Sequence, residues 1–359
     1  MRNFISEDDI EQAILQKLEG DPFQYGILRC DPSPDKRELL PDGTGRSSKK
    51  ECVLPLILRE ALARLNPDIP GEKLEEIARD LCRDFSATDM TATNYKYYNQ
   101  IRNGIKISLR RNGKEDFDFV KLVDFDRPEN NTFTAVSQMW IQGRVYWRRP
   151  DVLIFINGLP MVFVELKNSI VKVEEAYNDN LKNYLRDIPN LFAFNQICVL
   201  SNGLETRLGA FNATYNHFFE WLKVDSEKER PDRQALKEAG TVGESSVRYF
   251  IDGLLQKGRL IDYIENFIMF RNQKNKIIAK NHQYFGVNNL MESVKNRAEL
   301  QGKLGVFWHT QGSGKSFSMV FFARKVRRKI SGNFTFLIIT DREDLDDQIH
   351  KNFVKTEVI

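Results

Sequence analysis

The apolar positions along this chain change their period twice. In residues 6–19, Ile10, Ile14 and Leu18 recur at i, i+4 and i+8 behind a candidate N-cap, Ser6, which predicts a helix with one buried stripe. Residues 31–50 are rich in Pro, Gly, Ser and charge and read as a loop or partly ordered insertion. Over 53–110 the spacing is helical again, with Leu54, Leu58, Leu62 and Leu65 in one segment and Leu74, Ile77 and Leu81 in the next, separated by Asn66-Pro67-Asp68-Ile69-Pro70-Gly71. Beyond this the runs become short, β-branched and aromatic: 119–125, 132–141, 151–156 and 161–166, bounded by turn chemistry such as Asn157-Gly158. They predict a mostly antiparallel sheet. A helix over 173–186 and a strand over 197–200 complete an α/β unit.

The second change comes after a polar, charged stretch at 227–244, the natural place for a boundary or mobile connection. Residues 249–270 read as helical, and 291–300 as a further helix. Gly305-Val306-Phe307-Trp308 reads as a strand, 316–330 as a helix and 334–340 as the next strand, a βαβ unit. The expected organisation is one α/β domain over 1–230 with a helical insertion around 53–110, connecting helices over 231–270, and the first part of a second α/β domain over 271–359.

The length of the chain predicts two domains or more. The 359 residues are 41% hydrophobic and 29% charged, ordinary for globular protein. Cys30, Cys52, Cys82 and Cys198 lie far apart, so neither a zinc site nor a disulfide framework is indicated, and a reducing cytoplasm is expected. The acidic N-terminus lacks a signal peptide's apolar run, and no stretch of about 18 apolar residues occurs, so no membrane partner is expected. A net charge of +3 excludes a uniformly basic DNA-binding body. Contact with nucleic acid would be local, through patches such as Arg144, Arg148 and Arg149, for which a solvated face is the plain alternative.

Two groups of residues carry candidate chemistry. The first is Pro150-Asp151 with Glu165-Leu166-Lys167. On a strand, Glu165 and Lys167 share one face while Leu166 turns to the other. If Asn157-Gly158-Leu159 forms a three-residue hairpin loop, Ile156 stands opposite Pro160 and Asp151 opposite Glu165, with Cβ atoms about 5 Å apart. Two such carboxylates can hold one divalent ion, Mg²⁺, together with the Leu166 carbonyl. Phosphodiester hydrolysis needs that arrangement: the ion stabilises the charge that builds on phosphate oxygens, and Lys167 orients water or neutralises the intermediate. Glu11, on the first helix, is the candidate extra carboxylate, with Glu7 as the alternative. A strand-edge salt bridge is the competing account of Asp151, Glu165 and Lys167.

The second group is Gly312-Ser313-Gly314-Lys315-Ser316. The glycines let backbone N–H groups wrap ATP phosphates, Lys315 adds positive charge, Ser316 offers a hydroxyl to Mg²⁺, and the helix that follows adds its dipole. His309 replaces the usual first glycine. Upstream, Gln283 has an amide suited to both edges of adenine, or is a plain helix-end glutamine. No Asp-Glu metal motif follows, so the chain as given is expected to bind ATP poorly and not to turn it over.

Together these residues resemble the N-terminal part of the restriction (R) subunit of type I restriction-modification enzymes. Arg148-Arg149-Pro150-Asp151, Asn157-Gly158-Leu159-Pro160 and Glu165-Leu166-Lys167-Asn168 are similar to its nuclease block, and His309-Thr310-Gln311-Gly312-Ser313-Gly314-Lys315-Ser316 to its first motor motif. Thr340-Asp341-Arg342 and the residues to Gln348 resemble its next motif. The resemblance implies a PD-(D/E)xK-type nuclease domain, a mixed sheet flanked by helices, followed by the start of a RecA-like superfamily 2 motor. It also implies a Gln-x-x-x-Tyr pair near the active site, where Asn180 and Tyr184 stand here. The implied activity is endonucleolytic cleavage of double-stranded DNA coupled to ATP-driven translocation, within a complex whose other subunits methylate and recognise DNA. Family members continue for several hundred residues, so this chain is expected to be a fragment. A DNA clamp with an inactive site, and a repair helicase-nuclease, are the competing functions. The second usually places its nuclease after the motor, the reverse of the order here.

Overall fold

A seven-stranded sheet forms the centre of the protein, described here from a computed structural model over residues 5–83, 89–111, 114–340 and 343–356. Its strands are β1 (Gly26–Arg29), β2 (Phe133–Ser137), β3 (Val152–Ile156), β4 (Leu159–Leu166), β5 (Ile197–Ser201), β6 (Thr206–Gly209) and β7 (Phe219–Glu220), in that order across the sheet. The sheet is mixed. β1 runs parallel to β2 and β4 parallel to β5, while the other neighbours are antiparallel. Both parallel pairs are joined by long crossovers that carry helices, as parallel pairing requires.

Helix α1 (Glu7–Glu19) starts where the sequence predicts. The Ser6 hydroxyl accepts the Asp9 N–H while the Asp9 carboxylate accepts the Ser6 N–H, a reciprocal capping box. Ile10, Ile14, Leu15 and Leu18 are buried beneath it. The insertion supplies α2 (Pro55–Leu65), α3 (Gly71–Cys82) and α4 (Met90–Asn103). The helical reading fails over its last residues: Ile105–Arg111 is a strand, paired antiparallel with Lys114–Val120 outside the main sheet. Gly104, at φ +85°, ends α4, and Ile105, Ile107 and Leu109 then alternate with polar residues, a period of two. The 132–141 run likewise ends at Ser137, and Ile141–Gln142 pairs separately with Trp147–Arg148.

β3 and β4 are buried along their whole length, as central strands covered on both faces must be. Val152, Ile154 and Ile156 join a core with α1 and the insertion helices, whereas Leu153 and Phe155 join a second core with Leu181, Tyr184 and Phe192. The connecting hairpin differs from the expected three-residue loop. Asn157 and Gly158 form a two-residue turn with φ +52° and +80°, the backbone that Asn-Gly favours, and Ile156 pairs with Leu159 rather than Pro160. One bulged residue, Met161, then shifts the register so that Ile154 pairs with Val162 and Val152 with Val164.

The 173–186 helix is interrupted. Val173–Glu175 leads into a π-helical turn, Ala176–Leu181, before α5 (Lys182–Asp187). Residues 249–270 resolve into α6 (Ser246–Leu254), α7 (Lys257–Asn266) and a strand, Ile268–Arg271, paired with Asn275–Ile278. The helix expected over 291–300 begins earlier, as α8 (Asn281–Lys295), and is followed by α9 (Lys315–Lys329) and α10 (Glu343–Lys355). The two strands expected to flank α9 are not formed. Residues 305–308 and 334–340 have no ladder partners, and Val306 and Leu337 are 93% and 84% exposed. A strand needs a neighbour to satisfy its backbone, and none of the described strands lies beside either run. Of the residues that resemble the next motor motif, Asp341 and Arg342 lie outside the described residues. Among the described residues no helix is long and apolar enough to cross a membrane.

Gly158 is closely enclosed. A Cβ there would come within 2.6 Å of the Leu54 carbonyl and 2.8 Å of the Leu58 nitrogen, at a positive φ. Gly158→Ala is therefore expected to lower unfolding free energy by about 2–4 kcal/mol, measured by urea denaturation, whereas Gly43→Ala, at a similar φ with open space, should cost less.

Candidate active site

The bulge at Met161 brings the carboxylates together. Continuing the Val152–Val164 pairing by one residue puts Asp151 across from Glu165, and without the bulge it would stand across from Val164. Asp151 is held there by the Leu166 N–H, which donates to its Oδ2 at 2.7 Å. Lys167 sits 3.6 Å from Glu165 Oε1 and donates to the Leu166 carbonyl at 2.9 Å. The structure thus gathers Asp151, Glu165, Leu166 and Lys167 at the end of β4.

The other expected residues approach from two sides. Glu11 is buried on α1 and reaches the group through Gln138, whose Nε2 donates to Glu11 Oε2 and lies 3.5 Å from Asp151 Oδ1. Glu7 stands at the rim, 4.0 Å from Lys167. From the opposite side, Asn180 donates to Glu165 Oε1, and the Tyr184 hydroxyl donates to the Arg149 carbonyl at 3.1 Å with its ring edge-on to Phe163. Asn180 lies within the π-helical turn, a feature that often marks functional positions.

Gln138 is the residue that sequence reasoning missed. It follows β2 with φ +56°, its N–H donates to the Asp151 carbonyl at 3.0 Å, and its Oε1 is buried without a hydrogen-bond partner. A left-handed glutamine outside a tight turn is costly backbone. No sequence pattern signals it, because its position depends on where β2 ends beside β3.

The electrostatics are those of acids short of positive charge. Burial pushes Glu165 well above the usual carboxylate range, the Asp151 charge adds to the rise, and Lys167 opposes it. Burial likewise raises Asp151 to about 6 against the Leu166 N–H and Lys167, and raises Glu11 to about 6 against its bond from Gln138. Glu165 Oε2 is buried with no hydrogen-bond partner. Hard oxygen donors, one of them orphaned, beside a second buried carboxylate fit a divalent cation such as Mg²⁺. Among the described residues no group of three or more carboxylate, imidazole or thiol side chains is arranged to hold a metal ion.

The glycine-rich loop lies apart from this group. Gly312 and Gly314 have φ +77° and +88°, and Gly314 caps α9. Lys315 donates to the His309 carbonyl at 2.8 Å, and the Ser313 hydroxyl is buried without a partner. Gln283 is buried and supports the loop: its Nε2 donates to the Gly314 carbonyl at 3.0 Å and its Oε1 accepts the Lys280 N–H at 2.8 Å. His309 is held by Glu227 at 2.6 Å, which ties the polar 227–244 stretch to the loop. Ser316, in the first turn of α9, is half-buried.

Residues 4–217 match a family model described as the type I restriction enzyme R protein N terminus, and residues 282–358 match one described as the SWI2/SNF2 ATPase. The chain is similar to the type I restriction enzyme HindI endonuclease subunit of Haemophilus influenzae, 33% identical over 97% of this chain and 33% of that protein. It is also similar to the putative type I restriction enzyme MjaIXP endonuclease subunit of Methanocaldococcus jannaschii, 30% identical over 96% of this chain and 34% of that protein. The chain thus spans about a third of the length of these relatives.

If the carboxylate pair takes a divalent ion, Mg²⁺ or Mn²⁺ should raise the unfolding temperature, by the equivalent of about 2.7 kcal/mol at a hundredfold excess over Kd. EDTA should reverse the shift, and Asp151→Ala should lose it. An equal shift in Asp151→Ala places the ion elsewhere.

Proposed function

Because the chain belongs to the family of type I restriction enzyme endonuclease (R) subunits, we propose that its first domain cuts double-stranded DNA with Mg²⁺ and that the second begins an ATP-driven motor. In this reading residues 1–230 are a PD-(D/E)xK-type nuclease domain, 231–270 a connector, and 271–359 the start of a RecA-like superfamily 2 domain. The observation that carries it is the group of buried Glu165 with half-buried Asp151 and Lys167, with one Glu165 oxygen left unbonded.

Each residue then has a role set by its contacts. Asp151 and Glu165 hold the ion, which when bound supplies positive charge against the scissile phosphate and lowers the pKa of water. The Leu166 N–H fixes the Asp151 carboxylate, so that the pair is oriented before DNA arrives. Lys167, the cation nearest Glu165, stabilises the charge that builds on the phosphate oxygens or orients the attacking water. Asn180 holds Glu165 Oε1, and Tyr184 fixes the backbone at Arg149, two residues before Asp151. Gln138 keeps Glu11 and Asp151 in register from the other side.

In the second domain, Gly312, Ser313, Gly314, Lys315 and Ser316 receive the phosphates and Mg²⁺ of ATP, with Lys315 exchanging the His309 carbonyl for a phosphate oxygen. Gln283 holds the loop in shape, with both ends of its amide bonded to the Gly314 carbonyl and the Lys280 N–H. In the full-length subunit, assembled with methylation and specificity partners, this motor would draw in DNA for the nuclease to cut.

Asp151→Ala and Lys167→Ala in that assembly should abolish cleavage and leave DNA-stimulated ATPase intact, and retained cutting would remove the active-site assignment. Gln138→Ala should slow cleavage by about 10–100-fold, the usual scale for a residue that positions a metal ligand. Lys315→Ala should abolish ATP hydrolysis, and with it cleavage that depends on translocation.

A further inference from the structure

Just upstream of Asp151 in the chain, the short pair Ile141–Gln142 and Trp147–Arg148 carries a loop whose tip stands in water. Val145 and Tyr146 there are 78% and 55% exposed. This arm is not loose. Gly143 is pressed so closely to α5 that a Cβ would meet the Asp187 carbonyl at 2.0 Å, and the Gly143 N–H donates to the Tyr146 carbonyl at 2.9 Å. The buried Asp187 carboxylate takes Arg148 Nε at 2.7 Å. On the far side, the Gln142 N–H donates to the Lys49 carbonyl, and Arg46 reaches the Trp140 carbonyl from a buried cluster with Asp42 and Lys49.

Rigid exposure of an aromatic and a valine side chain is unusual without a partner. Charge indicates which partner. The arm and the end of α5 enclose a cavity of about 480 Å³ whose charged lining is Lys50, Arg144, Arg186 and Asp187. Asp187 is already neutralised by Arg148 and Arg186, while Lys50 and Arg144 have no carboxylate partner among the described residues. The guanidinium groups of Arg148 and Arg186 each lie 5.9 Å from the Tyr146 ring, and that of Arg149 lies 5.1 Å from Trp140. A surface of cations interleaved with aromatic rings, on a chain of net charge only +3, is complementary to a polyanion with stacking faces. It is poorly suited to an apolar protein face. The arm also runs directly into the site: Asp151 lies three positions after Arg148, about 10 Å of extended chain.

We propose that the 141–148 arm is the DNA-backbone clamp of this nuclease, with Arg144 and Lys50 on phosphates beside the scissile bond and Tyr146 packed on a sugar or base. The assignment rests on the nuclease reading for its position and deepens it by naming the surface that seats the substrate. Its contacts are to the backbone and to ring faces, so it reads no sequence.

The test uses this chain in an Asp151→Ala background, titrated with a short DNA duplex over a range of salt. Arg144→Ala with Tyr146→Ala should weaken binding about tenfold and reduce the log–log salt slope by about 0.9 for the lost phosphate contact. Lys237→Ala, on an exposed helix elsewhere, should change neither. A photo-crosslinking residue at Val145 should attach to DNA. Unchanged affinity and slope, or a crosslink to another copy of the chain in place of DNA, would overturn the clamp. Because binding is read without cutting, a failure of the nuclease reading would show separately, as cleavage retained by Asp151→Ala in the full-length subunit.

Discussion

One extra residue in β4 determines what the rest of the site can be. The Asn157-Gly158 turn imposes a two-residue loop, and a hairpin continued from it without interruption would put Asp151 across from Val164. The bulge at Met161 moves the partner strand by one, and both Met161 and Val162 turn into the core beneath α1 and the insertion helices. Phe163 and Glu165 then face the other way, toward Asn180 and Tyr184. The turn is itself locked from outside: Asn157 is fully buried, its amide donates to the Leu122 carbonyl and Asn131, and the Gly158 carbonyl accepts the Leu54 N–H that starts α2. The helical insertion therefore acts on the site from a distance, by fixing the hairpin's closed end.

The cost of this placement is electrostatic. Three acids, Glu11, Asp151 and Glu165, are buried or half-buried with one lysine, Lys167, beside Asp151 and Glu165, and each is pushed above its ordinary range chiefly by burial. A structural ion pair would look different. The Asp42 carboxylate meets Arg46 and Lys49 at 2.7 Å each and is held far below its ordinary range despite its burial. The contrast within one chain separates a carboxylate satisfied by the fold from a pair left short of cations, and only the latter has an orphaned oxygen. The left-handed backbone at Gln138 and the π-helical turn at Asn180 lie on either side of the same pair, so irregular backbone collects where the charge is unsatisfied.

Much of this was legible in the sequence, for physical reasons that differ from element to element. The capped α1 and the buried run of β4 follow from local patterns, and a loop length that is wrong by one residue leads to the same placement of Asp151 across from Glu165 that the Val152–Val164 register gives when continued by one residue. Two departures, a shorter turn and a bulge, offset each other. A bulge has no residue signature, so the agreement could not have been reasoned from spacing alone. Gln138 was invisible because its role depends on the end of β2, a tertiary fact. The strand Ile105–Arg111 was legible in its alternation and was lost to the helical pattern before it.

The glycine-rich loop shows the limit of local pattern in the other direction. α9 forms without flanking strands because its partners are helices: Phe321 packs on Phe267, and Val326 on Met291 and Val294 of α8. Its basic end is held by acids, Arg328 and Lys329 on the buried Glu265 and Lys325 on the half-buried Asp262. The hairpin that follows those acids, Ile268–Arg271 with Asn275–Ile278, is in turn fixed to α4 and to the residues before β5. Lys276 is fully buried and donates to Asn94 Oδ1, the Asn195 carbonyl and Gln196 Oε1, just before β5, and burial pushes its ammonium well below the usual lysine range. The Tyr98 hydroxyl reaches the Ile268 carbonyl at 2.6 Å. A buried cation among neutral acceptors is costly to separate, since opening the seam leaves each of those groups unpaired at about 1–3 kcal/mol apiece. The helix that follows the glycine-rich loop and the carboxylate strand are thus parts of one packed body, and the runs beside α9 touch it through side chains, Phe336 on Phe322 and Phe334 on the Val326 cluster, while their backbones have no ladder partner among the described residues.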